Sequence, residues 1–127
     1  MVARKILIVD DSKELLGLYT LAFAEKYTVR TATGPHEALR LLGQVKPDVL
    51  MTDYHMGESL DGLDLIRIVR QSHPAVKCLL NSASMNDDLE ARAHAMGVPA
   101  VQKGDLTALY RALDGLFQRN KRKAGSE

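Results

Sequence analysis

Lys5-Ile6-Leu7-Ile8-Val9-Asp10-Asp11 is a continuous apolar run that ends on two carboxylates. A run this short, uninterrupted and rich in β-branched residues predicts a strand buried on both faces, as in a parallel sheet. Asp11 or Ser12 can cap a helix that starts directly after the strand. The apolar residues that follow recur at helical spacing to about Lys26, which predicts an amphipathic helix.

The same alternation of a short apolar run and a helical pattern continues along the chain. Strands are predicted over residues 5–9, 27–31, 49–52, 76–80 and 100–102. The later helices are predicted over residues 34–45, 63–72, 87–96 and roughly 106–116. Five strand–helix units imply a doubly wound α/β fold, in which helices cover both faces of a parallel sheet.

The composition fits one globular domain with a sizeable core. The chain has 127 residues, of which 46% are hydrophobic and 26% charged, values that are ordinary for such a domain. No apolar run approaches the ~18–20 residues of a membrane span, and the N-terminus lacks a secretory signal. A single cysteine, Cys78, excludes an internal disulfide. These features favour a cytoplasmic location without membrane contact.

The net charge of +1 conceals an uneven distribution along the chain. Residues 119–127 carry a net charge of +3, whereas the other 118 residues carry 13 basic and 15 acidic groups. Nucleic-acid binding is therefore not expected of the folded part. We expect one domain over residues 1–118, followed by a basic C-terminal tail or linker start over residues 119–127.

Polar side chains follow the predicted strands at the edge where parallel strands end. Asp10 and Asp11 follow the first strand, Asp53 the third, Ser82 the fourth and Lys103 the fifth. Open parallel sheets bind ligands at this edge. Clustered carboxylates repel unless a cation joins them, and Mg²⁺ suits carboxylate and phosphate oxygens. The set predicts a Mg²⁺ site completed by a phosphoryl group, with one carboxylate as the nucleophile that forms an acyl phosphate.

Four segments share their order and spacing with a known family: Ile6–Asp11, Pro47–Met56 with Gly62 after it, Leu80–Ala83 and Gly97–Lys103. Through these segments the chain resembles, from residue 4 to about 118, the receiver domain of two-component response regulators. The resemblance implies a flavodoxin-like fold of five strand–helix units with strand order 2-1-3-4-5.

The resemblance also implies the roles of the reacting groups. Asp53 would be the phosphoacceptor, Lys103 the cation beside it, and Ser82 the hydroxyl that responds to the phosphoryl group. The donor would be a phosphohistidine on a sensor histidine kinase or histidine phosphotransfer protein. The domain would then catalyse its own phosphorylation and its slower dephosphorylation, with no independent metabolic activity.

The same resemblance implies a set of Mg²⁺ ligands. Asp11 would bind the ion directly and Asp10 mainly through water. Asp53 and the backbone carbonyl of His55 would complete the protein's share of the ligands.

Three features depart from the family pattern. Gly57 stands where a proline is usual, and the loop over residues 57–61 is one residue longer. Gly104 replaces a proline that is usually cis, so we expect no cis peptide bond there. Ala100 stands where the family usually has an aromatic residue, which leaves the usual coupling from the hydroxyl to that ring without its aromatic partner.

Two questions stay open at this point. One alternative function is a pseudo-receiver that acts as a protein-interaction scaffold without being phosphorylated. The output is also open, because the chain can be a regulator that acts by docking or a receiver separated from its effector domain. In either case, the face formed by the fourth helix, fifth strand and fifth helix is expected to change its affinity for an output partner.

Overall fold

The computed structural model describes residues 3–125, with side chains through residue 117. Five strands alternate with five helices in this part of the chain. In chain order the elements are β1 (Arg4–Val9), α1 (Lys13–Phe23), β2 (Tyr27–Ala32), α2 (Pro35–Val45), β3 (Val49–Thr52), α3 (Gly62–Ser72), β4 (Lys77–Ser82), α4 (Asp87–Ala95), β5 (Ala100–Gln102) and α5 (Leu106–Gly125).

All the strand pairs are parallel, and the strand order is β2-β1-β3-β4-β5. The register pairs Val9 with Thr52, and Thr52 with Leu80, so β1 and β3 end level with each other and β4 continues two residues further, to Ser82. The order reverses between β1 and β3, which are neighbours in the sheet. The predicted flavodoxin-like topology is therefore confirmed, and the residues after β1 and β3 lie side by side.

The sheet is buried on both faces, as the continuous apolar run of β1 predicts. Leu7 and Val9 belong to one core cluster, which is closed by α2, α3 and α4. Ile6 and Ile8 belong to the other, which is closed by α1 and α5. Successive side chains of a strand point to opposite faces, so one apolar strand supplies both cores.

The ends of several elements are set by local hydrogen bonds. Ser12, rather than Asp11, caps α1, because its Oγ accepts the Leu15 amide at 3.2 Å. The helix ends at Phe23 and not near Lys26, since the Lys26 amide donates to the Phe23 carbonyl in a tighter turn. α3 begins with a capping box in which Asp61 and Asp64 each accept the other's main-chain amide.

Two boundaries differ from the predicted ones in a way that concerns function. β4 runs from Lys77 through Ser82, so Ser82 is the last residue of the strand instead of following it. α5 extends to Gly125, which places residues 119–125 in the helix. No helix in the described part of the chain is long and apolar enough to cross a membrane.

Candidate functional site

The carboxyl edge of the sheet is built by main-chain hydrogen bonds that continue just past the strands. The Asp10 amide donates to the Ala32 carbonyl at 3.1 Å, and the Asp53 amide donates to the Val9 carbonyl at 2.9 Å. The Lys103 amide donates to the Ser82 carbonyl at 3.0 Å. The backbone of each residue is thereby held on a neighbouring strand, and the polar side chains are presented from a rigid edge.

Asp10, Asp11 and Asp53 form a cluster of three carboxylates. One oxygen from each residue lies within 4.8 Å of the others, and this is the one such group in the part of the chain whose side chains are described. Asp10 and Asp53 are buried, whereas Asp11 is exposed. Oxygen ligands of this kind suit a hard divalent cation, so the donor set fits Mg²⁺, and Asp11 leaves the cluster open to solvent on one side.

Lys103 bridges two of these carboxylates. Its ammonium nitrogen lies 2.6 Å from Asp10 Oδ2 and 3.1 Å from Asp53 Oδ2. Burial alone would lower the pKa of Lys103, but the hydrogen bonds and charges of Asp10 and Asp53 outweigh it and raise that pKa. The lysine is therefore held as a cation inside the site.

The surroundings of Asp53 raise the pKa of its carboxyl group. Only 8% of the residue is exposed, and burial raises its pKa with a smaller contribution from Asp10, against the opposing effect of Lys103. Its Oδ1 accepts the Tyr54 amide at 2.8 Å. The Thr52 hydroxyl donates to the Asp53 carbonyl at 2.9 Å. Both the carboxylate and the main chain of Asp53 are thus fixed.

Asp10 and Ser82 are already engaged by neighbouring groups. Asp10 Oδ1 accepts the Ser12 amide at 2.9 Å, while its Oδ2 contacts Lys103. Ser82 is 1% exposed, and its Oγ accepts the Ser84 amide at 3.1 Å. The Ser82 oxygen therefore accepts from its own loop, and its O–H can be donated to a ligand at the edge without loss of that bond.

The segment after Asp53 returns directly to α3. The Gly62 amide donates to the Tyr54 carbonyl at 2.8 Å. A methyl group added at Gly62 would overlap the Asp53 carbonyl, so glycine permits the backbones to meet. His55 is exposed and lies in the connection between Tyr54 and Gly62. Its carbonyl lies in this connection, and its role as a metal ligand stays a prediction.

The longer loop over residues 57–61 rests against the start of α2. Gly57 has a φ of +69°, which a proline cannot adopt. The Glu58 carboxylate covers Gly34, and it lies 3.8 Å from His36 Nε2. Ser59 Oγ lies 3.4 Å from the same nitrogen. The extra residue is accommodated by these contacts on α2.

The other two departures also have structural consequences. No cis peptide bond occurs in the described residues, as expected for Gly104, which instead has a φ of +93°. Ala100 is half-buried, and with Val98 and Pro99 it lines a groove against α4 whose lining contains no Phe, Tyr or Trp side chain.

Two contacts near the site have no counterpart in the sequence pattern. Arg92 Nη1 of α4 lies 3.1 Å from the Tyr54 hydroxyl, 38 residues away along the chain. The side-chain amide of Asn81 donates to the Tyr19 hydroxyl at 2.8 Å, across a separation of 62 residues. Local periodicity carries no signal for either pair, because each joins elements that meet only in the folded sheet.

Fold and site together define a doubly wound α/β domain with an acidic site, bridged by a lysine, at the carboxyl edge of its sheet. A profile of the response regulator receiver domain matches residues 6–103. The chain belongs to this family, the receiver domains of two-component response regulators.

Several relatives share the sequence over most of this chain. It is 30% identical over 118 residues to the transcriptional regulatory protein GlrR of Escherichia coli, which covers 91% of this chain and 26% of GlrR. It is 33% identical over 97 residues to the nitrogen assimilation regulatory protein NtrX of Azorhizobium caulinodans, which covers 75% of this chain and 21% of NtrX. The chain thus spans about a quarter of the length of these relatives.

Solved structures share the fold over nearly the whole chain. A response regulator receiver domain protein from Clostridium thermocellum superposes with a TM-score of 0.82 at 26% identity, covering 94% of this chain and 98% of that one. The signal receiver domain of a LuxO repressor protein of Vibrio parahaemolyticus gives a TM-score of 0.84 at 19% identity, covering 99% and 98%.

Proposed function

We propose that the protein accepts a phosphoryl group on Asp53, in the presence of Mg²⁺, and thereby changes its affinity for a partner. The observation that carries the proposal is the position of the Asp53 carboxylate. It is nearly buried, one of its oxygens lies within 4.8 Å of oxygens of Asp10 and Asp11, and its Oδ2 lies 3.1 Å from the Lys103 ammonium. A phosphoryl group attacked by this nucleophile could be neutralised both by Lys103 and by a metal that the carboxylates would hold.

The metal would be held by the carboxylates of Asp10, Asp11 and Asp53 and by the His55 carbonyl. When bound, Mg²⁺ supplies positive charge to the phosphoryl oxygens. Asp10 is already hydrogen-bonded to Ser12 and paired with Lys103, so water between Asp10 and the ion is the arrangement that disturbs it least. Asp11 is exposed and supports direct contact with the metal.

In the transfer step, an oxygen of ionised Asp53 attacks phosphorus, and the P–N bond to the donor histidine breaks. The bonding electron pair stays on the imidazole nitrogen, so the products are an acyl phosphate and a histidine. Lys103 neutralises one phosphoryl oxygen, and the Ser82 hydroxyl donates to another. In the slower dephosphorylation, water attacks phosphorus and the bond from phosphorus to the Asp53 oxygen breaks. The bonding pair stays on the Asp53 carboxylate, and inorganic phosphate is released with the protons of the water.

The donor that suits this site is a phosphohistidine on a sensor kinase or on a histidine phosphotransfer protein. Because GlrR and NtrX are regulatory proteins about four times as long as this chain, we propose that the output is either a further domain or a separate docking partner. Residues 1–118 would form the receiver, and residues 119–127 would lead towards the output.

The direct test is phosphorylation by acetyl phosphate with Mg²⁺, read by intact-protein mass spectrometry. Wild type and a charge control, Glu25→Gln, should gain the mass of one phosphoryl group, whereas Asp53→Asn should not. A hydroxylamine-sensitive label on wild type identifies the acyl phosphate. Labelling of Asp53→Asn to the same extent as wild type would contradict the assignment of Asp53.

A phosphorylation-independent scaffold is the second candidate. Two observations favour it: the Lys103 ammonium pairs with the carboxylates of both Asp10 and Asp53, and Ala100 offers no ring to move. Beryllofluoride, which mimics an acyl phosphate, separates the two functions. A receiver should bind beryllofluoride tightly in the presence of Mg²⁺, and its NMR spectrum should change. A scaffold should bind neither beryllofluoride nor Mg²⁺ strongly.

A further inference from the structure

Arg92 connects α4 to the residue that follows the proposed acceptor. Its Nη1 lies 3.1 Å from the Tyr54 hydroxyl, and its guanidinium carbon lies 5.7 Å from the centre of the Tyr54 ring. The Tyr54 ring also meets the His55 ring edge to face, with centroids 4.6 Å apart. The Tyr54 side chain therefore contacts both Arg92 and His55.

The main chain of Tyr54 controls the groups that would react. Its amide donates to Asp53 Oδ1 at 2.8 Å, and its carbonyl accepts the Gly62 amide at 2.8 Å. The next peptide presents the His55 carbonyl. A movement of the Tyr54 main chain would therefore disturb both the hydrogen bond to Asp53 Oδ1 and the adjoining peptide that carries the carbonyl proposed as a metal ligand.

The groups around Arg92 favour a charged guanidinium beside Tyr54. The hydrogen bond to Tyr54 raises the pKa of Arg92, and the charges of Asp88 and Asp61 add to that effect. Asp88 lies one turn earlier in α4, and Asp61 caps α3. Arginine can donate to a hydroxyl and lie against an aromatic ring at once, which lysine does poorly.

We propose that Arg92 is a positioning residue: it holds Tyr54, and Tyr54 in turn orients the phosphoacceptor Asp53. The contact thereby links Asp53 to α4. The inference rests on the function proposed above. It gives α4 a direct contact with the acceptor segment in a chain where Ala100 supplies no aromatic ring on β5.

The test is a double-mutant cycle of Arg92→Ala, Tyr54→Phe and the combination. Initial rates of acetyl phosphate labelling are measured over a range of donor concentrations with saturating Mg²⁺. Each single variant should lower the maximal rate about three- to tenfold, with the half-saturating donor concentration little changed, since the lost contact orients the acceptor and does not bind the donor. The double variant should be no slower than the slower single variant.

Further variants separate position from charge. Arg92→Lys keeps the charge and should behave like Arg92→Ala, whereas Arg40→Ala, an exposed arginine on α2, should label like wild type. Fluorine NMR of the 3-fluorotyrosine protein gives an independent readout, with the Tyr54 signal assigned by its loss in Tyr54→Phe. That signal should shift when beryllofluoride and Mg²⁺ are added to wild type, and the shift should shrink in Arg92→Ala.

The outcomes distinguish the two proposals. If wild type labels on Asp53 while Arg92→Ala and Tyr54→Phe label at the wild-type rate, the inference is wrong and the proposed function stands. Multiplying effects in the double variant, or full activity of Arg92→Lys beside a slow Arg92→Ala, would also overturn it, because charge alone would then explain the rates. Failure of wild type to label on Asp53 would overturn both.

Discussion

The ammonium nitrogen of Lys103 lies 3.1 Å from Asp53 Oδ2, yet the pKa of Asp53 is raised and not lowered. Burial of the carboxylate has the larger effect, and Lys103 offsets it only in part because it is shared with Asp10 at 2.6 Å. The proposed acceptor is thus an ionisable group kept where its charged form is disfavoured. A metal cation bound beside Asp53 would favour the charged form of the carboxylate and so offset the effect of burial.

The raised pKa of Asp53 has a consequence for stability. A carboxyl whose pKa is higher in the folded state makes the free energy of unfolding fall as pH rises from the unfolded pKa, about 3.9, through the folded one. Asp53→Asn keeps the shape and removes the charge, so we expect it to be about 1 kcal/mol more stable than wild type at pH 7. The gain should shrink towards pH 4, as measured by urea unfolding. A gain that is constant across this range, or a loss at pH 7, would contradict this account.

Metal binding should stabilise the fold through the same cluster. A ligand bound only by the folded state adds about 2.7 kcal/mol to the free energy of unfolding at 100 times its dissociation constant. We expect Mg²⁺ to raise the melting temperature of wild type and of Glu25→Gln. Because Asp11 is exposed, Asp11→Asn should leave the metal-free melting temperature near that of wild type while removing most of the Mg²⁺ response. An undiminished response in Asp11→Asn would exclude it as a ligand.

Gly62 offers a sharp test of how the acceptor segment is packed. An added methyl would overlap the Asp53 carbonyl and lie 3.0 Å from Tyr54 Cα, so main chain must shift. Gly62→Ala should lower the free energy of unfolding by about 1–3 kcal/mol and slow labelling of Asp53. Gly17→Ala is the matched control, since it lies in α1 with nothing within 4 Å, and it should gain about 0.5–1 kcal/mol.

The sequence predicts what depends on periodicity and strand ends. The continuous run at residues 5–9 predicts a strand with two buried faces, and parallel strands bring Asp10, Asp53 and Lys103 to one edge because their carboxyl ends coincide. Helix and strand limits are less predictable. A single hydrogen bond places Lys26 in a turn after α1, and pairing with β5 keeps Ser82 in β4.

Contacts between distant elements leave no trace in the sequence pattern. Arg92 is one of several charged residues on the exposed side of α4, and its contact with Tyr54 follows from where α4 crosses the edge of the sheet. Tyr19 fits the apolar stripe of α1 by spacing alone, which gives no sign that its hydroxyl binds Asn81 on β4. Such pairs are set by packing angles that local spacing does not encode.

The Tyr19–Asn81 pair predicts a stability effect separate from phosphorylation. Both residues are buried, and the Asn81 amide donates to the Tyr19 hydroxyl at 2.8 Å. Tyr19→Phe leaves that amide without its acceptor, which should cost about 1–3 kcal/mol in urea unfolding. Tyr110→Phe, on the exposed side of α5, should change little. Equal stabilities of the two variants would show that the buried amide finds another partner.

Cys78 should report on opening of the fold. The thiol is buried in β4, and burial raises its pKa to about 11, so the reactive thiolate is scarce near neutral pH. Modification by a thiol reagent at pH 8 should then require unfolding, and its rate should follow the population of open molecules. Gly62→Ala should react faster than wild type and Gly17→Ala more slowly, with the logarithm of the rate falling linearly as the free energy of unfolding rises. Equal rates in all three proteins would instead mean that β4 opens locally around Cys78 without loss of the remaining fold.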